Sequence, residues 1–445
     1  MNGTIIKMLI TLLGVQFLIS VLSNSPEDRY IEQFLNYVIE SDDFSIGFTG
    51  DSNALITISR PRNPYSYDLN LPLFKEFEGL KVFCYGDPNI CVKDKKIRTN
   101  IDFLFSIFFF LSGYYEHINP HIRDGHGRFP GIASFQTLHN IVEIPVVNQY
   151  VSLLVNLIRK AGNHAEIREQ YRKPYFSLAH DIDHLSSSIF TRVKDFQKNR
   201  KLRSLIKNHF DVNCLIDFEK NLGINGSYYF MLSKDHGAGY DLSAKSKLIK
   251  ELANSIKSNG SNTGVHYSYW TLEKGIDKDL LIKLGTILGE IPKTGRHHFL
   301  RFDVDRSYRI LDDTGILVDT SGGYADMIGF RFGTSWPFRP FDFANKCAHK
   351  VWEIPLLVMD ITLSSSAYMN LKPEEGFERI TKLMSQVNDY GGIFSLLWHN
   401  SSFEYGEWKD WEWVYLKTLE KAKQSGYDFI RDVDILKIFE DCNGQ

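Results

Sequence analysis

Four short stretches of this chain carry side chains whose types and spacing suit hydrolytic chemistry. The first, Phe176-Ser177-Leu178-Ala179-His180-Asp181-Ile182-Asp183-His184, runs an apolar segment straight into two carboxylates spaced i and i+2. In extended chain that spacing places both on one face. Two carboxylates side by side are costly unless something positive sits beside them. A divalent cation meets that need, and so does a proton shared with a base. A division of labour follows, with one aspartate binding metal and the other serving as general base toward an activated water.

The second stretch is Gly264-Val265-His266-Tyr267-Ser268-Tyr269-Trp270. Its His266 ends a strand-like run, where an imidazole is either a metal ligand or a hydrogen-bonded core group. The third is Arg296-His297-His298-Phe299-Leu300-Arg301-Phe302-Asp303. Arg301 lies among apolar residues, and a buried arginine needs a carboxylate partner. Asp181 is the partner expected, the alternative being a surface salt bridge. The fourth, Ser395-Leu396-Leu397-Trp398-His399-Asn400-Ser401, is an apolar strand ending in histidine. His399 there is either structural or able to protonate a leaving group or stabilise an oxyanion. Two further Asp-x-Asp strings, Asp303-Val304-Asp305 and Asp432-Val433-Asp434, read on spacing alone as solvated turns or strand ends.

Elements able to position these residues can be read from the pattern. Strand-like runs fall at 175–179, 227–231, 263–267, 298–302, 352–358, 392–398 and 428–431. Helical stretches at 188–208, 243–258, 278–289, 374–389 and 411–425 separate several of them. Short apolar strands alternating with amphipathic helices indicate an α/β domain with a parallel sheet. Polar residues recur just after the strands, as expected where strand C-termini line an active face. The chain divides near 160–172, a charged segment between apolar regions. Before it, 54–58 reads as a strand, 103–115 as a buried helix, Asp124 to Pro130 as a glycine-rich turn, and 143–158 as a second helix.

Composition narrows the classes. The chain has 445 residues, 43% hydrophobic and 24% charged, which permits two or three globular domains. A net charge of -3 gives no support to a nucleic-acid partner. The five cysteines form no CxxC pair, so a cysteine zinc site is not expected. Free thiols are favoured over a Cys84–Cys91 pair. Lys7 precedes an apolar run to Leu22, so residues 1–24 read as a signal peptide or short anchor, or else as a buried element. Localisation follows: cell envelope or periplasm with a signal or anchor, cytoplasm without, and membrane association through the N-terminus in the anchor case.

Taken together, the motifs at 179–184, 264–269, 298–302, 329–334 (Gly-Phe-Arg-Phe-Gly-Thr), 352–356 (Trp-Glu-Ile-Pro-Leu) and 396–401 resemble the polysaccharide deacetylase, or NodB-homology, superfamily. More narrowly, they look like a bacterial subgroup whose deacetylase domain follows an uncharacterised N-terminal domain. Segments 109–116 and 126–130 are similar to that leading domain. The resemblance implies a distorted (β/α) barrel over 172–445, preceded by a smaller α+β domain over 25–165. It also implies a divalent metal, usually zinc, and removal of N- or O-linked acetyl groups from an acetylated polysaccharide or oligosaccharide.

Carried onto matching positions, Asp181 is the general base and Asp183 the metal carboxylate. His266 is the first histidine ligand, Arg301 steadies the base, and His399 is the general acid. Asp319 would orient His399. The family's second histidine is missing, because Trp270 stands in its place; His180 or His184 would supply the imidazole, or another oxygen donor would. Aromatic loops at 329–340 and 400–413 suggest a sugar groove using Arg331 and Trp336, with Tyr269, Trp398 and Asn400 nearby. Two other functions compete. One is a non-catalytic glycan-binding descendant with a degraded metal site. The other is an Asp-x-Asp glycosyltransferase, for which no nucleotide fingerprint is present.

Overall fold

The computed structural model describes residues 19–20, 25–41, 48–49, 54–60, 73–185, 212–403 and 410–440. Residues 1–18 and 21–24, which carry most of the expected signal or anchor, lie outside it. So do the expected helix at 188–208 and the aromatic residues Tyr405 and Trp408. No helix among the described residues is long and apolar enough to cross a membrane.

The chain forms two compact units. One comprises Met1–Tyr114, Pro145–Arg172 and Phe341–Ala348. The other comprises Tyr115–Ile144, Lys173–Pro340 and His349–Gln445. Residues 115–144, grouped by sequence with the leading domain, therefore belong to the unit that contains all four motifs.

The first unit is α+β. A sheet ordered 48–49, 19–20, 56–58, 96–99, 90–93 is parallel except for its last pair. The helix Phe103–Leu111 is buried at every residue, as its unbroken apolar sequence requires, and Asp102 caps it by accepting from the Phe105 N–H. Its phenylalanines pack edge-on and tilted against Phe83 and Tyr114. Cys84 and Cys91 carry free thiols, so the two do not pair.

The second unit is a curled parallel sheet wrapped by helices. Its strands in chain order are β1 (Pro174–Ile182), β2 (Ser227–Met231), β3 (Asn262–Tyr267), β4 (Thr294–His297), β5 (Val318–Asp319), β6 (Trp352–Glu353), β7 (Val358–Met359), β8 (Gly392–Leu397) and β9 (Asp428–Ile430). Their spatial order is β6-β5-β4-β3-β2-β1-β8-β7, with β9 beside the first half of β1. All these pairs are parallel. Successive strands are neighbours from β1 to β6, and the chain then returns through β7 and β8 to the other side of β1. The result is a distorted (β/α) barrel, with no pairing between β6 and β7 among the described residues.

The helices α1 (Val212–Leu222), α2 (Leu242–Ser258), α3 (Lys278–Leu288), α4 (Pro373–Tyr390) and α5 (Trp411–Gln424) fill the connections. Asp241 and Asp277 cap α2 and α3 by accepting from backbone N–H groups of the first turn. Phe176, Leu178, Phe394 and Leu396 from β1 and β8 meet Ile380, Leu383, Val414 and Leu419 from α4 and α5 in one core. Two glycines admit large rings between strands. A Cβ on Gly264 would lie 2.5 Å from the Tyr229 ring, and one on Gly295 would lie 1.9 Å from the Tyr267 hydroxyl.

Two strands differ from their expected positions. The run expected as a strand over 298–302 is a tight turn with left-handed backbone at Phe299 (φ 60°) and Leu300 (φ 48°), and the strand lies four residues earlier. The run at 352–358 is broken into β6 and β7. Val318–Asp319 also joins the sheet, at the end of the short apolar run Ile316-Leu317-Val318 that is not among the expected strands.

Candidate functional site

The polar residues converge at the C-terminal ends of β1, β3, β4, β7 and β8. Asp181 and Asp183 leave β1 on one face, as the i, i+2 spacing requires. His266 lies on β3, in register with Arg296 of β4. Arg296 and His298 are again i and i+2, so both face the same way. His297 between them turns aside and packs its buried ring against Tyr267.

Asp183, His266 and His298 form the group able to hold a cation, their donor atoms lying within 4.8 Å of one another. The Asp183 Oδ1 stands 3.5 Å from His266 Nε2 and 3.9 Å from His298 Nε2. Donors about 2.0–2.2 Å from a tetrahedral zinc are themselves about 3.3–3.6 Å apart, close to the two distances from Asp183. Both imidazoles are aimed by their other nitrogen. His266 Nδ1 meets the Arg296 carbonyl at 3.0 Å, and His298 Nδ1 meets the Asp235 carboxylate at 3.3 Å. That outer-shell support fixes the tautomer and turns Nε2 toward the shared point. Burial pushes the His266 imidazole below its usual value, against the pull of Asp181, which favours the neutral ring that ligation needs. Asp183 Oδ1 is buried without a hydrogen-bond partner. An orphaned buried carboxylate oxygen facing two imidazoles fits a cation.

The expected replacement ligands are elsewhere. His180 is fully buried with both nitrogens engaged, by the Trp398 carbonyl and by Glu219, each at 2.6 Å. His184 is exposed and outside the triad. The third donor is His298 instead. Its sequence context hides it, because the apolar run 298–302 suggests a strand that starts too late; with the strand at 294–297, Arg296 and His298 fall on the active face.

The same shift corrects the arginine. Arg296, buried, donates from Nη1 to Asp181 Oδ1 at 3.0 Å. Arg301 does not reach Asp181. It binds the His126 and Tyr269 carbonyls and pairs with Glu273 at 2.6 Å, tying three segments of this unit together. Burial opposes charge on Asp181, but His266, Arg296 and His399 outweigh it and hold the carboxyl below the usual range. The Asp181 Oδ2 lies 3.5 Å from His266 Nε2, so the base borders the triad.

His399 is oriented by Asp360, at the start of the short helix after β7. Asp360 Oδ1 meets His399 Nδ1 at 2.8 Å, and its Oδ2 accepts from the His399 N–H at 2.7 Å and from the Ser402 hydroxyl. Burial disfavours the imidazolium, but the Asp360 carboxylate prevails, and His399 is pushed up to about 9. Asp319, expected in that role, belongs to a buried carboxyl group with Glu353. It accepts from the Ser321 N–H, and burial raises it to about 6.

Among the described residues, all five expected sugar-binding side chains are buried. Trp336 and Trp398 have no exposed surface. Arg331 is buried in a two-pronged pair with Glu116. Asn400 is buried and donates to the His184 carbonyl. Tyr269 stays beside the site, its ring under the Arg301 guanidinium at 4.2 Å. The other Asp-x-Asp strings are structural. Asp303 and Asp305 hold Arg123 and His117. Asp432, expected to be solvated, is fully buried and accepts from Ser177 and Tyr229.

Residues 18–163 match the model of a family of unknown function (DUF7033). No curated protein matches the sequence. Similar solved structures include a protein from Mycobacterium smegmatis described as a polysaccharide deacetylase, at 14% identity and TM-score 0.41, covering 63% of this chain and 93% of that one. The Puue allantoinase matches at 13% and 0.40, covering 62% and 93%. A protein from Pseudomonas aeruginosa PAO1, described as a probable polysaccharide deacetylase, matches at 12% and 0.39, covering 61% and 92%.

Proposed function

We propose that the second unit is a metal-dependent hydrolase that removes acetyl groups, N- or O-linked, from a glycan. One observation carries the reading: an Asp-His-His donor set, its histidines buried and its aspartate partly so, is flanked by an arginine-held carboxylate, Asp181, and by a carboxylate-held histidine, His399. Sequence motifs resembling the polysaccharide deacetylases support it from a separate direction.

Asp183, His266 and His298 would hold a divalent cation, zinc being the fit for one carboxylate and two imidazoles. Bound there, the cation supplies Lewis acidity toward an acyl oxygen and a water molecule. Asp181, ionised at neutral pH, takes the proton from the water as its oxygen attacks the acyl carbon. Arg296 keeps that carboxylate charged and aimed. His399, protonated at neutral pH, donates from Nε2 to the departing nitrogen or oxygen, since Nδ1 is committed to Asp360. Acetate and a free amine or hydroxyl result. Enclosure of all three groups strengthens each electrostatic contact.

Acetate release from acetylated oligosaccharides by the metal-loaded protein tests the proposal, with Asp181→Asn and His399→Gln as controls. Release that is absent with bound metal and intact fold, or unchanged in both variants, would sink it. The fully formed donor set argues against a degraded metal site. Compartment follows from the same proposal, since an exported glycan places the enzyme in the cell envelope; fractionation of cells expressing the full chain tests that.

A further inference from the structure

We propose that a cleft of about 630 Å³ beside the metal centre is a subsite for an acidic sugar residue. The sugar ring lies on Trp270, and its acidic group lies between Lys234 and Lys274. This rests on the glycan reading above and names the class of glycan.

The cleft is joined to the donor set through its floor. The loop 232–239 is tied to all three donor residues. The Leu232 N–H donates to the His266 carbonyl at 3.0 Å, and the Gly239 N–H donates to the Asp183 carbonyl at 2.9 Å. Asp235, a lining residue, supports His298. The loop is itself rigid. Asp235 and Ala238 exchange two backbone hydrogen bonds, and Gly239 takes φ +80° where a Cβ would lie 2.2 Å from the Ser233 carbonyl. A sugar seated in this cleft is therefore held at a fixed offset from the reacting centre, the pre-organisation a subsite needs.

The lining has a flat apolar ring and cations. Trp270 is 43% exposed, although tryptophan usually covers most of its surface. It stands at the mouth of the short helix Thr271–Lys274, with Tyr269 edge-on behind it at 5.1 Å. An exposed indole presents a face to the C–H groups of a pyranose. Lys274 Nζ lies 5.7 Å from the ring centroid, so a cation stands beside the same face. Lys234 faces the cleft from the loop. Neither lysine has a carboxylate partner among the described residues.

Of the two acidic lining residues, Asp235 is committed through both oxygens and Asp277 through one. Asp235 Oδ1 serves His298, and its Oδ2 accepts from the Ser268 hydroxyl and the Tyr269 N–H. Asp277 is the opposing charge, and its Oδ1 caps α3 through the Leu280 N–H. Two unpaired ammonium groups beside a sugar platform match a carboxylate or phosphate on the sugar better than a neutral residue.

The test uses the full-length zinc-loaded protein and two probes, an acetylated oligogalacturonate and a chito-oligosaccharide of the same length. Binding is read by calorimetry at low and high salt. The acidic probe should bind about tenfold tighter than the neutral one at low salt, and that advantage should vanish at high salt. Lys234→Gln/Lys274→Gln should remove the advantage and leave neutral binding unchanged. Trp270→Ala should weaken both probes about tenfold, while Trp270→Phe restores most of the loss. Equal binding of the two probes, or indifference to the lysine and tryptophan variants, overturns the subsite. Acetate release separates the two proposals. Binding that depends on Trp270 and the lysines without release leaves the subsite and removes the deacetylase reading. Release with no such dependence does the reverse.

Discussion

Replacing Asp360 by asparagine isolates the group that keeps His399 charged. Burial alone would push the His399 imidazole below 6.5, whereas the value in the folded protein is about 9, and Asp360 is the largest cause of the rise. The interval from 6.5 to about 9 corresponds to roughly 3 kcal/mol favouring the imidazolium. At pH 8 the wild-type ring is about nine-tenths protonated. With Asp360→Asn the largest cause of the rise is gone and burial is opposed only by Asp183 and Asp181, so the protonated fraction at pH 8 should fall and acetate release with it, by up to about tenfold. The wild-type rate should decline as pH rises through about 9, and in the variant that decline should move to lower pH. The linkage has the same sign. A histidine with a raised folded value contributes stability that is complete below about 6.5 and lost as pH rises through about 9. Urea unfolding should show the wild type losing more stability across that window than the variant. The assay is kcat/KM against pH, with the His399 imidazole resonances followed by NMR. An alkaline limb that stays near 9 in Asp360→Asn would refute the reasoning.

Three further outcomes follow from the geometry. His298→Ala should reduce bound zinc from about one per chain to near zero by elemental analysis, while Trp270→Ala should leave the zinc content unchanged. Arg296→Gln should lower kcat about 10- to 100-fold with KM little altered, because it aims the base rather than binding substrate; Arg301→Gln should lower thermal stability more than it lowers the rate of the folded fraction. Arg331→Met leaves Glu116 as an unpaired buried carboxylate and should cost about 3–5 kcal/mol in denaturant unfolding, with much of that recovered in the Glu116→Gln/Arg331→Met double variant.

Several of these groups are legible in the sequence. The run into Asp181 and Asp183 and the strand running into His399 are marked by apolar runs with abrupt polar ends, while His266 stands out only as a histidine near the end of a short Gly-Val-His-Tyr segment. The two strands with apolar runs, β1 and β8, are buried on both faces, so they read as apolar segments interrupted only by Ser177 and Ser395 before their polar ends. Arg296, His298, Asp235 and Asp360 are harder. β4 is Thr-Gly-Arg-His, a strand with hardly an apolar residue, because it lines the active face and its glycine yields space to Tyr267. The more hydrophobic neighbour 298–302 draws the expected strand four residues downstream, and the arginine and histidine assignments move with it. Asp360 follows a two-residue strand that no periodicity can mark. Trp336 and Trp398 look like groove residues for the opposite reason: aromatic composition does not distinguish a sugar platform from a core, and these rings are core.

Local pattern in the chain was enough to set the alternation of strands and helices, the buried Phe103–Leu111 helix and the chemical types at three strand ends. Each of these depends on periodicity and on side chains within a few residues. Which histidine completes the triad, which arginine holds the base and which carboxylate charges His399 emerged only in three dimensions. Those partners are 32 to 115 residues apart or sit on strands too short to have a pattern, and the curl of the sheet is what brings them within hydrogen-bond reach.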